Sequence, residues 1–310
     1  MPSMRCHLTH IAILASTCFL AGKPSIHAQS TVSTAVPDTQ NERSCPASSS
    51  SDDDEPSGPE ISIAEVTFSG AVQMPSSDQE EIAASIKQRT HGNSLADVTD
   101  EALERARAGW QNEGYFTAQV SGEARELASS PSIQRIALSI HVDEGLQYRL
   151  GEITFKHNKA IGDVDVLRRF FAINKGDILN REKIAKGLES LRIAYAELGF
   201  INFTSIPNTE IDDGLRLISI DVNFDEGRQY HLGGVKIVGL DEPTGRELLK
   251  NFPMKRGQVY NGRLFDSFMD KYVSMFPDGG VDAYARASRA LDEHTGTVTF
   301  TFDFRPCSGD

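Results

Sequence analysis

The chain has 310 residues, 39% of them hydrophobic and 24% charged, with a formal net charge of −13. That length holds two or three ordinary domains, and the composition is that of a globular protein. The acidic balance excludes nucleic acid as a partner and adhesion to anionic lipid through bulk charge, because both need a basic face.

Residues 1–28 read as a secretory signal peptide. Arg5 gives a basic start, Ile11 to Gly22 form a short apolar core, and Ala28 offers a small residue for cleavage. That core is about half of the ~20 residues needed to cross a bilayer. Cleavage would remove Cys6 and Cys18 and leave Cys45 and Cys307. Residues 29–59 are Ser, Pro and acid with almost no large apolar side chains, so they read as a disordered tether. Its acidic run, Asp52 to Glu55, lacks the alternating ligands and Gly of a calcium loop and reads as solvated linker.

From residue 60 one order of elements occurs three times. Each begins with a short strand: Ile61 to Gly70, Tyr148 to His157, and Tyr230 to Gly239. A first helix follows, over Ser77 to Gln88, Asp163 to Ile173, and Pro243 to Phe252. The second helix is clearest between Lys175 and Phe200. Asn180 is a natural N-cap, and Ile184, Leu188, Leu191, Tyr195 and Leu198 recur at helical spacing before Gly199 stops the helix. Leu103, Ala106 and Trp110 with Gly114, and Phe265, Phe268 and Tyr272 after Asn261, repeat the pattern. A polar strand then precedes a closing strand of strict alternation. Ile136, Leu138, Ile140 and Val142 form one such set; Ile218, Ile220, Val222 and Phe224 form another; Val298, Phe300, Phe302 and Phe304 form the third. Period-two alternation puts one face in a core and one in water. The predicted fold class is therefore α+β. Three tandem β-α-α-β-β domains, residues 60–147, 148–229 and 230–307, each form a small three-stranded mixed sheet covered by two helices.

Two similar stretches mark the borders. DEGLQYRLG starts at Asp143 and DEGRQYHLG at Asp225. Gly145 and Gly227 permit a turn that a residue with Cβ resists, and Tyr148 and Tyr230 then open the next strand with almost no linker. These stretches read as inter-domain joints that restrict pivoting.

Trp110 with Gly114-Tyr115, Tyr195 with Gly199-Phe200, Glu144-Gly145 with Tyr148, and Glu226-Gly227 with Tyr230 recur in fixed order. With the element order, they resemble the POTRA domain, the repeat of the periplasmic arm in BamA- and TamA-type outer-membrane protein assembly factors and in two-partner-secretion transporters. The resemblance spans about residues 60–307. It implies an exported array in the periplasm or at the outer membrane, with no enzyme activity, no cofactor and no small-molecule substrate. Unfolded outer-membrane proteins, or an outer-membrane β-barrel protein, would be its partners, and any membrane association would run through a partner. A long barrel follows the last such domain in those families. Only three residues follow Cys307, so pore formation is not carried over. An envelope scaffold with one fixed partner, and a barrel-less remnant of an insertase, are the alternative readings.

The physical basis for binding would be an open sheet edge, to which an extended peptide can add. The fourth element of each domain is the expected edge, with Phe116, Ala118 and Val120, then Ile201, Phe203 and Ser205, then Val281 and Ala283, as candidate contacts. Pro207 belongs on an edge or at a bulge. Charge and Pro in these strands fit a second reading, protection against aggregation. No metal site or catalytic set is expected, because the histidines that remain after cleavage make no paired metal spacing and no triad signature. For Cys45 and Cys307, an intramolecular disulfide, a bond to a second chain and free thiols all stay open.

Overall fold

The computed structural model describes residues 59–272, residue 275 and residues 287–305. The predicted signal peptide and the tether up to residue 58, with Cys45, Val281, Ala283 and Cys307, lie outside the described residues. The first module runs β1 (Glu60–Ala71), α1 (Ser76–Arg89), α2 (Leu95–Asn112), β2 (Gln119–Ser129) and β3 (Ile133–Asp143). The second runs β4 (Arg149–Lys156), α3 (Val164–Arg168), α4 (Arg181–Glu197), β5 (Thr204–Asp212) and β6 (Leu217–Asp225). The third runs β7 (His231–Val238), α5 (Glu242–Asn251), α6 (Gly262–Tyr272), β8 (Ala287–Asp292) and β9 (Thr297–Asp303).

Each module has a three-stranded sheet with the closing strand in the middle: β1-β3-β2, β4-β6-β5 and β7-β9-β8. The closing strand pairs in parallel with the first strand and antiparallel with the fourth element. Its alternation explains the position. Ile136, Leu138, Ile140 and Val142, and likewise Val298, Phe300, Phe302 and Phe304, are all buried. A central strand flanked on both sides can bury a full apolar face, whereas its neighbours cannot.

By internal contacts the chain divides into two compact units. Among the described residues, one holds 59–194 together with Phe203–Glu226, and the other holds Tyr195–Asn202 together with those from Gly227 on. In the first unit, Ile61, Ile86, Ala102, Ala106 and Trp110 pack with the apolar face of β3. Phe155 of β4 sits 5.9 Å, ring to ring, from both Phe171 and Phe224. In the second unit the core is aromatic: Phe265 stacks on Phe300 at 4.5 Å, and Phe252 meets Phe268 edge-on at 5.0 Å. Such pairs add about 0.5–1.5 kcal/mol beyond the area they bury.

Four local expectations shift. The helix expected over Asp163 to Ile173 is only Val164–Arg168. After it the chain tightens to three-residue bonds, Phe170 N–H to Leu167 O and Phe171 N–H to Arg168 O, and the Arg168 guanidinium donates to the carbonyls of Phe171 and Ile173. Phe171 then lies where a Cβ on Gly187 would come within 2.3 Å of its ring, so a glycine in α4 makes room for it. The buried stripe of α2 runs through Val98, Ala102, Ala106 and Trp110, with Leu103 only partly buried at its flank. Leu198, expected in the α4 stripe, is exposed. Finally, β2 and β5 each start three residues later than the expected edges, at Gln119 and Thr204.

Candidate functional site: helix-end joints and open sheet edges

The end of α2 shows how a joint is built. Gly114 takes the left-handed conformation (φ 87°), Tyr115 N–H donates to Trp110 O at 3.0 Å, and Gly114 N–H reaches Gln111 O at 3.4 Å. This is a Schellman cap, which satisfies two of the last helix carbonyls and packs the residue after the Gly against the helix. The Trp…Gly-Tyr pattern is that contact. α4 repeats it: Gly199 (φ 88°), Phe200 N–H to Tyr195 O at 3.0 Å, and the Tyr195 and Phe200 rings 5.8 Å apart.

The cap leaves three carbonyls without a helix partner, because the last turn has no amides ahead of it. At α2 these are Asn112, Glu113 and Gly114, and the second module bonds all three. Asn180 Nδ2 donates to Asn112 O at 2.8 Å, Gln147 Nε2 to Glu113 O at 2.8 Å, and Tyr148 N–H to Gly114 O at 2.8 Å. A fourth bond runs from Glu182 N–H to Asn112 Oδ1 at 2.9 Å. At α4 the same atoms recur one module on. Asn261 Nδ2 donates to Glu197 O at 3.1 Å, Gln229 Nε2 to Leu198 O at 2.9 Å, and Tyr230 N–H to Gly199 O at 2.9 Å. Here the Glu197 side chain reaches Arg263 at 2.6 Å.

Asn180 and Asn261 therefore do two jobs. Each Oδ1 caps its own helix, accepting from Lys183 N–H at 2.8 Å and from Leu264 N–H at 3.0 Å. Each Nδ2 caps the preceding helix. The sequence reading found the first role and missed the second, and it missed Gln147 and Gln229 altogether. The available signal was a Gln at the same place in both DEG stretches, followed by an Asn 33 and 32 residues later.

Contact is close at these points. A Cβ on Gly114 would lie 2.8 Å from both Tyr148 O and Ile178 Cγ2, and one on Gly199 would lie 2.9 Å from Tyr230 O and Val259 Cγ1. Gly145 and Gly227 have φ of 67° and 63°, and Tyr148 and Tyr230 are buried. The Tyr148 hydroxyl donates to Asp213 Oδ1 at 2.7 Å; burial, then that bond, pushes its pKa up to about 12. Glu144 is buried with two oxygens serving three donors: Gln73 N–H at 2.6 Å, Met74 N–H at 3.0 Å and Trp110 Nε1 at 2.9 Å. It ties the loop before α1 to the joint. Glu226 accepts from Ala160 N–H at 2.9 Å in the second module's equivalent loop.

The sheet edges divide into two kinds. The first strand is terminal in each sheet, but the loop before the second helix bonds its start. Ile61 N–H meets Gly92 O, Leu150 bonds Asp177 O and Gly176 N–H, and Leu232 bonds Gln258 O and Gly257 N–H. β2, β5 and β8 are terminal strands on the other side. Of the candidate contacts, Val120 lies in β2 and Ser205 in β5, both on the helix-covered side. Phe116 and Ala118 precede β2, and Ile201 and Phe203 precede β5; Ala118 and Phe203 are buried, and Ile201 packs on the third module's core. Those four are turn and core residues, so the usable edges are shorter than expected. Pro207 sits in an unbroken β5–β6 register opposite Val222. Its nitrogen therefore faces away from β6, because a ladder position that required an amide there would break the pairing.

Residues 148–227 match the family model of the POTRA domain, described as "Surface antigen variable number repeat". The chain is 26% identical over 218 residues to a Treponema pallidum protein named as an outer membrane protein assembly factor, covering 67% of this chain and 25% of that one. It is 26% identical over 231 residues to the outer membrane protein assembly factor BamA of Neisseria meningitidis, covering 70% of this chain and 27% of that one. The chain thus spans about a quarter of the length of these relatives. A crystal structure of Haemophilus influenzae BamA POTRA3-5 superposes with a TM-score of 0.58 at 19% identity, over 80% of this chain and 98% of that one. This chain is a tandem array of POTRA-like modules that resembles the POTRA segments of BamA-type outer membrane protein assembly factors.

Proposed function

We propose that this chain is an exported, non-catalytic POTRA array that acts in outer-membrane protein assembly, in the periplasm or at the outer membrane. Its partners are unfolded outer-membrane proteins or an outer-membrane β-barrel protein. Binding is by strand addition, with the β5 edge of the second module as the principal site. The observation that carries this reading is the β5 edge itself. It is a terminal strand of nine residues in continuous register, whose inner neighbour already fixes its backbone. Since Pro207 marks the outward-facing positions, Ser205 and Ile211 present their amides and carbonyls outward, and a client strand can bond them. Ile206, 58% exposed on the open face of the sheet, offers an apolar contact beside that ladder.

A photo-crosslinking residue at Asn208, exposed on the same strand, tests the proposal in the native envelope. Capture of several different outer-membrane proteins, or of one barrel protein, is the expected result. Capture of a single stoichiometric partner that is not a barrel protein, with no affinity for unfolded chains, would show a fixed scaffold instead.

A further inference from the structure

The two joints match atom for atom in what they use. Each socket is three consecutive main-chain carbonyls at a capped helix end. Each plug is a Gln amide, a Tyr backbone N–H and an Asn amide, at 2.8, 2.8 and 2.8 Å in the first joint and 2.9, 2.9 and 3.1 Å in the second. Within the plug, Leu179 N–H bonds Tyr148 O at 3.0 Å and Tyr260 N–H bonds Tyr230 O at 2.9 Å, so the Tyr and the Asn-bearing loop are held together the same way. The residues that differ leave these bonds alone. Ile178 and Val259 are both β-branched and lie 2.8 and 2.9 Å from where a Cβ on the socket glycine would stand. Asn112 and Glu197 differ in side chain, yet each side chain reaches the residue two beyond the plug Asn, Glu182 in one case and Arg263 in the other.

We infer that the two joints are one interchangeable coupling: the plug of the third module fits the socket of the first. The three bonds common to both joints are read through main-chain carbonyls, and the socket side chains add one further bond each, Asn112 to the Glu182 amide and Glu197 to Arg263. The partner the socket fits is a module that starts with Gln-Tyr and carries an Asn N-cap 32–33 residues after the Gln. The connecting chain allows it, because Asp143-Glu144-Gly145 and Asp225-Glu226-Gly227 are the same residues, and the left-handed glycine stands at the same place in both.

Deleting Leu146 to Gly227 tests this directly, joining Gly145 to Arg228 and presenting the third plug to the first socket. Hydrogen exchange of the Tyr230 amide is the readout. Protection within about tenfold of the full-length chain is expected, and a further Asn261→Ser substitution should lower it by roughly fivefold, the value of one lost bond. A shortened chain with Phe300 and Phe302 amides protected but Tyr230 exchanging freely would overturn the inference. Should the shortened chain not fold, a graft in the full-length chain decides alone. Asn112→Glu with Glu182→Arg gives the first joint the second joint's side-chain pair. Tyr148 amide protection within about tenfold of the original supports interchangeability, and loss of that protection refutes it.

Discussion

Asn180→Ala should destabilise the first compact unit by about 2 kcal/mol, and Asn180→Ser by about half as much. The reasoning separates the two ends of one side chain. Its Oδ1 caps α4 through Lys183 N–H, and its Nδ2 closes the last turn of α2 through Asn112 O. Loss of an N-cap costs about 1 kcal/mol, and loss of a typical hydrogen bond costs about as much again. Alanine removes both. Serine keeps a cap acceptor but cannot span to Asn112 O, so it isolates the joint. For a unit of this size each kcal/mol lowers the thermal midpoint by ~2–4 °C. The Tyr148 amide, which bonds the neighbouring carbonyl of Gly114, should exchange roughly fivefold faster in the serine variant, since 1.4 kcal/mol is tenfold. Calorimetry and hydrogen exchange together give both numbers. A serine variant with original stability and unchanged Tyr148 protection would refute the joint role and leave Asn180 a plain helix cap. Asn261→Ser should behave alike in the second unit at the Tyr230 amide.

Other substitutions probe the same region. Glu144→Gln replaces one acceptor with a donor facing amides and should cost about 1–3 kcal/mol in denaturant unfolding, whereas Glu226→Gln, at a partly exposed site, should cost less. Gly145→Val should lower the thermal midpoint more than Gly227→Val. Both violate a left-handed φ, but only Gly145 has an atom, Thr117 Oγ1, within 2.9 Å of the new Cβ; the nearest at Gly227 is 3.5 Å away. At high pH the Tyr148 phenol gives a further test. Its folded pKa of about 12 lies above the ordinary value of 10.0, so the proton is held more tightly in the folded chain. Stability is then fully present below pH 10 and falls as pH rises toward 12. Tyr260, pushed up to about 12 by burial and then by Asp266, adds the same trend in the second unit. Tyr148→Phe should flatten the alkaline loss in the first unit only.

The repeat was legible because closing strands such as Ile218 to Phe224 carry period-two alternation with no competing pattern, and that alternation also places them centrally. The joints were only half legible. A local reading assigns Asn180 to the helix it begins, and nothing within its own turn shows that Nδ2 has a partner 68 residues earlier. Gln147 is solvated by default until a helix end is known to lie beside it. Phe116, Ala118, Ile201 and Phe203 looked like strand residues because turn residues that pack inward mimic alternation. Ala118 N–H bonds Tyr115 O, so a turn, not a ladder, holds that segment. The short α3 was hidden for a similar reason: Arg168 ends the helix by taking two downstream carbonyls, and composition does not announce which Arg will do so.

Joint and edge occupy different parts of each module, and that separation gives the client proposal its sharpest test. The joint uses the second helix end, the start of the first strand and the loop that covers its outer side. The fourth element keeps its outer ladder. On β5, Pro207 removes one outward donor from that ladder while leaving the pairing with β6 intact. Natural sheets use such prolines to discourage uncontrolled strand addition. Pro207→Val would restore the donor without touching β6, since the new N–H points away from it. A bound client strand then gains one N–H···O bond, about 1 kcal/mol net, or roughly fivefold in affinity. Crosslinking yield from Asn208 at sub-saturating client should rise several-fold, and light scattering of the purified protein should rise with it, because the same edge becomes free to meet its own kind. An unchanged yield with unchanged scattering would mean that β5 binds nothing through its backbone, and strand addition at this edge would have to be given up.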